Sequence, residues 1–242
     1  MSTDTTPKTQ PTTVYERYLH TRELLALQKA PGERLHPDEL AFQVVHQTFE
    51  LWWKLTGELF TRAMDDLAAG EFLGAARLIR RAVDAQHVVM AALRQLEFVA
   101  PVDFLEIRKG LEDGSGGESP GWRMILRQAP RLWDAFEGAV AKAGTTVNGV
   151  YADPAAHLAL YECAEALTDF DEIFHLFRAQ HLKLAQRHVG LKSTGTGGMP
   201  MEALERTLHD LLWPALWNAR DNLVNAAIDA GASYGKATPG RS

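Results

Sequence analysis

Hydrophobic residues recur every three or four positions along most of the chain, the spacing that places them on one face of an α-helix. No segment shows apolar and polar residues in strict alternation over the length of a strand. The pattern therefore predicts an all-α protein. Because no repeat of solenoid period is visible, a helical bundle is favoured over an α-solenoid.

Capping residues and helix breakers divide this pattern into segments. We expect helices over 15–28, 37–69, 72–98 and 104–111, and then over 120–142, 154–190 and 201–231. Ser119-Pro120 and Asp153-Pro154 each place a capping residue before a proline at the first helical position. Two glycine-rich segments, 112–119 and 193–198, interrupt the helices. The first is a candidate wall of a site, because glycine lets the backbone approach a ligand closely.

Composition and length indicate one globular domain. The chain has 242 residues, of which 46% are hydrophobic and 23% charged, so a disordered or fibrous chain is excluded. We expect a single domain over 14–235, with disordered tails over 1–13 and 236–242. The formal net charge of −6 has the wrong sign for a protein that binds a phosphate backbone, so nucleic acid is not an expected partner.

Cysteine usage and the N-terminal sequence bear on location. Cys163 is the single cysteine, which excludes an intrachain disulfide and a multi-cysteine metal site. Residues 1–13 lack the basic and apolar regions of a signal peptide, and no apolar stretch is long enough for a membrane span. We therefore expect a cytoplasmic protein that neither enters nor crosses a membrane.

The predicted helix over 154–190 carries an apolar seam in which His181 stands where another apolar residue is expected. Two interpretations of His181 stay open at this level: a core histidine bonded to a backbone carbonyl, or a ligand of a metal or of haem. His188, near the helix end, is expected to interact with terminal carbonyls or solvent. The other members of the seam are Leu160, Cys163, Leu167, Phe170, Phe174, Phe177 and Leu184.

A second histidine lies among aromatic residues on the helix predicted over 37–69. Phe42, His46, Phe49 and Trp53 follow one another at steps of four, three and four. Two histidines on aromatic-rich faces of different helices could line one apolar pocket, the setting in which flat cofactors and aromatic substrates bind.

Other metal chemistry is less well supported. The segment Glu172 to His175 has the Glu-x-x-His spacing of di-iron bundles, but the second copy, Glu33 to His36, lies in a proline-flanked loop. The zinc motif HExxH is absent. The glycines at 195, 197 and 198 follow a helix, whereas a dinucleotide fingerprint follows a strand; a small anion-binding nest there remains open.

The chain resembles the tryptophan 2,3-dioxygenase family of haem-dependent oxygenases through motifs spread along most of its length. The motifs, in order, are YERYL (15–19), LLALQ (24–28), DELAF (38–42), HQTFELWWK (46–54), RKGL (108–111), SG (115–116), RAQH (178–181), GLK (190–192) and GTGG (195–198). The HQTxELW and GTGG pieces are the most specific.

This resemblance implies an α-helical bundle around b-type haem, with His181 as the axial iron ligand and His46 as the catalytic residue beside the indole N–H. It also implies an arginine, Arg108, that pairs with the substrate carboxylate, and Thr196 near the substrate ammonium. Phe42 and Leu111 would form pocket walls. Ser115 and Gly116 would lie in the loop over the haem edge. Tyr15, Tyr18 and Leu19 would close the pocket of a neighbouring subunit in a homotetramer.

The implied reaction adds O₂ across the indole C2–C3 bond of L-tryptophan and gives N-formyl-L-kynurenine. Three departures from the family pattern bear on the pocket lid: one extra residue within Ser193-Thr194, Gly117 in place of an aromatic residue, and the near absence of helices usually inserted before the C-terminal half. Relatives of this family insert one oxygen atom into tryptophan derivatives, methylated ones among them. The alternative is therefore a haem monooxygenase of a tryptophan derivative in secondary metabolism.

The hypothesis outside the enzymes is a haem sensor without catalytic activity or a purely structural bundle, because a fold does not fix a function. Arg108 and Thr196 argue against it, since a sensor has no evident need for groups that bind an amino acid.

Overall fold

The computed structural model describes residues 12–195, 198 and 200–231. These residues form ten α-helices: α1 Val14–Leu19, α2 Thr21–Leu25, α3 Glu39–Ala69, α4 Phe72–Leu93, α5 Pro101–Lys109, α6 Pro120–Lys142, α7 Val147–Ala152, α8 Leu158–Val189, α9 Met201–Arg206 and α10 Pro214–Asp229. The only β-type pairing among the described residues is an isolated bridge between Thr194 and Pro200. The all-α prediction is confirmed.

Two helices, α3 and α6, lie close to where the sequence predicts them. α3 ends at Ala69 and is capped by Gly70, whose φ of 81° is a left-handed conformation that glycine adopts without strain. α6 begins at Pro120, and the Ser119 side chain accepts a hydrogen bond from the Trp122 N–H. Local chemistry fixes these ends, so they are readable from the sequence.

Three predicted helices near the N-terminal half differ from the structure. The single helix expected over 15–28 is two short helices, broken at His20, which has a φ of 52°. The helix expected over 72–98 ends at Leu93 and continues as a 3₁₀ helix over Arg94–Phe98. Pro101, expected only to end that helix, also begins α5, because a proline at the first position needs no N–H.

Two further predictions fail in the C-terminal half. Asp153 does not begin the long helix: its side chain accepts from the Ala156 N–H and caps a turn, α8 begins at Leu158, and the unpredicted α7 precedes it. The helix expected over 201–231 is broken into α9, a 3₁₀ helix over Thr207–His209, and α10. Pro214 has no N–H with which to continue a helix from the preceding residues.

Four long helices, α3, α4, α6 and α8, enclose the core: α3 packs along α4 and α6, and α8 packs along α4. The α8 seam predicted from the sequence is buried at every position except His181, which is half-buried. At one end of the bundle, Phe60 packs edge-on against Phe170 with ring centroids 4.8 Å apart, and Trp213 packs against both rings. α7 and α10 pack against each other beside this end.

Two buried charged residues on α8 hold the C-terminal segment in place. Asp171 accepts the backbone N–H groups of Leu212 and Trp213 and the indole N–H of Trp217, at 2.9, 3.3 and 2.9 Å. Arg178, two turns later, donates to the carbonyl oxygens of Thr207 and Asp210. The break between α9 and α10 therefore depends on contacts made far away in the sequence.

Cys163 is buried, and its Sγ donates to the Phe72 carbonyl oxygen at 2.8 Å. Burial raises the pKa of this thiol to about 12.

Of the two predicted tails, 236–242 lies outside the described residues, as do positions 1–11 of the first. Thr13 caps α1 by accepting from the Glu16 N–H. Among the residues that are described, no helix combines the length and the apolar character that a membrane span requires.

Candidate functional site

His46 lies in the second turn of α3 beside Phe42, with the two ring centroids 4.1 Å apart. Its Nδ1 is 2.8 Å from the carbonyl oxygen of Phe42. A carbonyl oxygen can only accept, so Nδ1 carries the proton and Nε2 has a free lone pair. The histidine can therefore accept a hydrogen bond at Nε2.

A cavity of about 260 Å³ opens beside this histidine. Three of the residues that the sequence assigns to the site, Phe42, His46 and Leu111, line it together. The structure thus brings α3 and the end of α5 to one pocket. The remaining lining residues are Lys29, Glu39, Gln43, Gln47, Ile107 and Gly110.

His181 lies on α8 and is connected to His46 by aromatic rings. His46 packs against Phe49 with ring centroids 5.4 Å apart; Phe49 meets Phe177 edge-on at 5.7 Å; and Phe177 stacks with His181 at 6.0 Å. Trp53 and Trp122 also pack against Phe177 and against each other, and the rings of Phe49, Phe177, Trp53 and Trp122 together form an aromatic wall. The two histidines therefore flank one aromatic-walled region.

Both imidazoles are held in their neutral form. Burial, reinforced by the nearby His46, lowers the pKa of His181 to about 4. Burial also lowers the pKa of His46, partly opposed by its bond to the Phe42 carbonyl and by the negative charge of Glu50. At neutral pH each ring offers a lone pair, the form that binds a metal or accepts a proton.

The donor set around His181 fits haem. Its ring makes no hydrogen bond to any described residue, so the core-histidine interpretation, which requires a backbone carbonyl partner, finds no support there. A neutral imidazole without a hydrogen-bond partner among those residues, set against aromatic rings, suits ligation of a porphyrin iron.

Two other groups of possible metal ligands are less suitable. Glu172 of the Glu-x-x-His motif is exposed, so it points away from the core that a di-iron centre would need. His36, Asp38 and Asp103 lie together near the starts of α3 and α5. However, His36 Nδ1 accepts from the Asp38 N–H at 3.2 Å and Nε2 faces Asp103 at 3.5 Å, so this histidine already serves as a structural bridge.

Arg108, in the last turn of α5, reaches the second glycine-rich segment. Its Nη2 donates to the carbonyl oxygen of Gly195 at 2.8 Å. Thr196, which the resemblance places near the substrate ammonium, lies outside the described residues. Gly195, the residue before it, lies beside the arginine. A guanidinium has five N–H donors, so this bond leaves others available for a carboxylate.

Ser115 and Gly116 lie in the loop that joins α5 to α6 and do not line the cavity with His46. The loop is ordered by Glu118, whose side chain accepts from the Ser115 N–H at 2.8 Å. Ser115 is half-buried and Gly116 is exposed.

Tyr15, Tyr18 and Leu19 lie on α1, away from the cavity of their own chain, and are 68%, 83% and 44% exposed. Neither α1 nor α2 has a buried residue. The structure therefore does not bring these three residues to the site within one chain.

The polar side of the cavity was missed by sequence reasoning. Lys29 Nζ donates to Glu39 Oε1 at 2.6 Å, and the Lys29 N–H donates to Gln43 at 2.9 Å. Burial alone would raise the pKa of Glu39, but the hydrogen bonds from Lys29 and the Leu35 N–H outweigh it and lower the pKa. Positions 39, 42, 43 and 46 lie on one face of a helix, so this spacing could have predicted that Glu39 and Gln43 line the same cavity as Phe42 and His46. Nothing local indicated Lys29.

His188 differs from expectation in its partner. It is buried, its ring stacks on Phe104 of α5 with centroids 4.6 Å apart, and its Nε2 donates to the Val99 carbonyl oxygen at 3.2 Å. It therefore joins the end of α8 to α5, the helix that carries Arg108, instead of interacting with its own helix terminus or with solvent.

Comparison with known proteins gives a consistent result. The family described as tryptophan 2,3-dioxygenase matches residues 2–129 of the chain. Curated proteins named tryptophan 2,3-dioxygenase are similar over 86% of this chain: the protein of Kineococcus radiotolerans at 29% identity, covering 91% of its own length, and those of Saccharopolyspora erythraea at 28% and Bacillus thuringiensis at 27%, each covering 92%. The match spans more than half of the chain and includes the helix that carries His46. The chain belongs to the tryptophan 2,3-dioxygenase family and is an oxidoreductase of that type.

Proposed function

We propose that the chain is a haem-dependent dioxygenase that adds O₂ across the indole C2–C3 bond of L-tryptophan and releases N-formyl-L-kynurenine. The observation that carries this proposal is the pair of neutral histidines, His46 and His181, at the two ends of one aromatic wall. One of them can hold the iron and the other can hold the substrate. The haem-binding oxygenase domain would be residues 14–235.

His181 would hold the iron of b-type haem. Its lowered pKa keeps a lone pair available at neutral pH, and Phe177 fixes the plane of the ring. The bound haem would supply activation of O₂ at its iron. The protein would supply the position of the substrate and the apolar side chains that surround the indole.

His46 would orient the indole. Because Nδ1 is committed to the Phe42 carbonyl oxygen, Nε2 is the atom that would accept the indole N–H. Phe42 and Leu111 would hold the indole faces by apolar contact in the cavity. The indole would then have one defined orientation.

Arg108 would bind the substrate carboxylate through the N–H donors that its contact with Gly195 leaves free. The backbone bond aims the guanidinium before the substrate arrives, which lowers the entropic cost of binding. Thr196 would lie beside the substrate ammonium. Ser115 and Gly116 would lie over the haem edge.

The N-terminal helices support a homotetramer in which Tyr15, Tyr18 and Leu19 close the pocket of a neighbouring subunit. These helices expose six large apolar side chains and bury none of their residues, which is costly unless another surface covers them. A cytoplasmic location is part of the same proposal.

The test is to load the purified chain with haem, reduce it, supply L-tryptophan with ¹⁸O₂ and weigh the product by mass spectrometry. We expect both labelled atoms in the product, with the absorbance of a formylkynurenine. A product that gains one labelled atom, or turnover of methylated tryptophan alone, would overturn the dioxygenase assignment in favour of a monooxygenase. Absence of any turnover together with stable haem binding would favour a haem sensor.

A further inference from the structure

Glu50 lies on α3 one turn after His46, and both of its carboxylate oxygens are bonded to the start of α6. Oε1 accepts from the hydroxyl of Ser119, and Oε2 accepts from the Gly121 N–H at 2.8 Å. The Ser119 hydroxyl oxygen in turn accepts from the Trp122 N–H at 3.1 Å. One side chain therefore organises the whole first turn of a helix 70 positions further along the chain.

This arrangement suits the chemistry of a helix start. The first N–H groups of an α-helix have no partner within the helix, and its N-terminus carries a partial positive charge. A carboxylate from another helix satisfies both needs at once. Ser119 alone would cap the helix but would not attach it to α3.

The attachment is close as well as polar. A Cβ added at Gly121 would lie 2.7 Å from Glu50 Oε2 and 2.8 Å from the Trp53 Cβ. Both distances are shorter than van der Waals contact, so only glycine permits this approach of α6 to α3. The two helices are therefore held at a fixed distance at this point.

Along the chain, the junction of α3 with α6 lies between two parts of the proposed site. Before it lies the loop with Ser115 and Gly116, which ends where α6 begins. After it lies Trp122, which stacks on Phe174 at 4.7 Å and packs against Phe177, the neighbour of His181. A change in the start of α6 would displace both.

We propose that Glu50 is a positioning residue for substrate binding: its carboxylate clamps the start of α6 to the helix that carries His46, and so holds both Trp122 and the loop over 112–118, which the proposed function places over the haem edge. This inference rests on the proposed function. Glu50 would act without contact to substrate or haem, because both of its carboxylate oxygens are bonded to the start of α6.

The test compares Glu50→Ala with Glu50→Gln in the haem-loaded protein. Glutamine keeps an oxygen for the Gly121 N–H and an amide that can pair with the Ser119 hydroxyl, whereas alanine removes both bonds. Since a hydrogen bond to a charged group is worth roughly a factor of ten in equilibrium terms, we expect Glu50→Ala to raise KM for tryptophan about tenfold. Glu50→Gln should restore most of this loss, with kcat nearly unchanged in both variants.

Two further variants sharpen the comparison. Gly121→Ala disturbs the same junction without altering Glu50, so it should reproduce the KM change of Glu50→Ala. Glu58→Gln is the matched control, because Glu58 lies two turns further along α3 and is exposed. It should leave KM and kcat at wild-type values.

Amide hydrogen exchange over 112–123 supplies a readout that does not depend on turnover. Faster exchange in Glu50→Ala than in Glu50→Gln is expected, and unchanged exchange would overturn the clamp whatever the chain's substrate is. Faster exchange with an unchanged KM would overturn its role in substrate binding. A wild-type protein that binds haem but does not turn over tryptophan would instead overturn the proposed function, with exchange still deciding whether the clamp exists.

Discussion

The guanidinium of Arg108 is bonded to the carbonyl oxygen of Gly195 at 2.8 Å, although 87 positions separate the two residues. This bond joins the end of α5 to the glycine-rich segment that follows α8. This hydrogen bond restrains the guanidinium before any ligand binds.

Arg108→Ala should raise KM for tryptophan by about thirtyfold, because loss of a charge-assisted hydrogen bond costs about 2 kcal/mol. Haem content should be unchanged, since the residue is assigned to the substrate and not to the cofactor. Steady-state kinetics and the haem-to-protein ratio measure the two effects. Lys109→Ala is the control: its exposed ammonium pairs with Glu106 and should not affect KM. Equal KM values for Arg108→Ala and wild type would remove the arginine from carboxylate binding.

His181→Ala should give a protein without stable axial haem ligation. The ring stacks with Phe177 of the aromatic wall, whereas His188, further along α8, is bonded to the Val99 carbonyl oxygen and stacks on Phe104. The visible spectrum of the ferrous protein and the rate of haem loss to a scavenger are the measurements. His87→Ala, which removes an exposed histidine from α4, should retain the wild-type spectrum. A wild-type spectrum for His181→Ala would contradict the ligand assignment.

Asp171→Asn should destabilise the fold by about 3 kcal/mol, because it removes a buried charged acceptor of three hydrogen bonds. For a chain of this length that corresponds to a fall in Tm of about 6–12 °C. Thermal unfolding followed by circular dichroism is the test. Asp169→Asn, at an exposed position two residues away, should change Tm little. Similar Tm values for the two variants would show that Asp171 does not anchor the C-terminal segment.

The pH dependence of stability should be shallower in His188→Gln than in wild type. Burial lowers the pKa of His188 from its ordinary value of 6.5. The unfolded chain therefore takes up this proton more readily than the folded one, so the contribution of His188 to stability is present above that value and is lost as the pH falls below it. Glutamine can still donate to the Val99 carbonyl oxygen but does not titrate. Urea unfolding at pH 7 and pH 5 gives the change in the free energy of unfolding for each protein. An equal change in His188→Gln and in the wild type would contradict the prediction.

The features that could be predicted from the sequence are those fixed by neighbours in the sequence. The ends of α3 and α6 follow from Gly70 and from Ser119-Pro120. The buried seam of α8 follows from helical spacing. Phe42 and His46 share a cavity because they are one turn apart on the same helix.

The features that could not be predicted depend on contacts between distant segments. The break before α10 is stabilised by Asp171, about forty positions earlier. The polar wall of the cavity depends on Lys29, which reaches α3 from an irregular segment. The clamp at Glu50 joins two helices whose own patterns carry no sign of it.

The environment of Cys163 has a practical consequence. A thiol whose pKa is raised to about 12, and which is buried against the Phe72 carbonyl, has almost no thiolate at neutral pH and no access to reagents. It is also the single cysteine of the chain. We therefore expect the native protein not to react with maleimides, so a new cysteine placed on α1 would be the sole labelled position. A fluorophore or spin label attached there would report where the N-terminal helices lie.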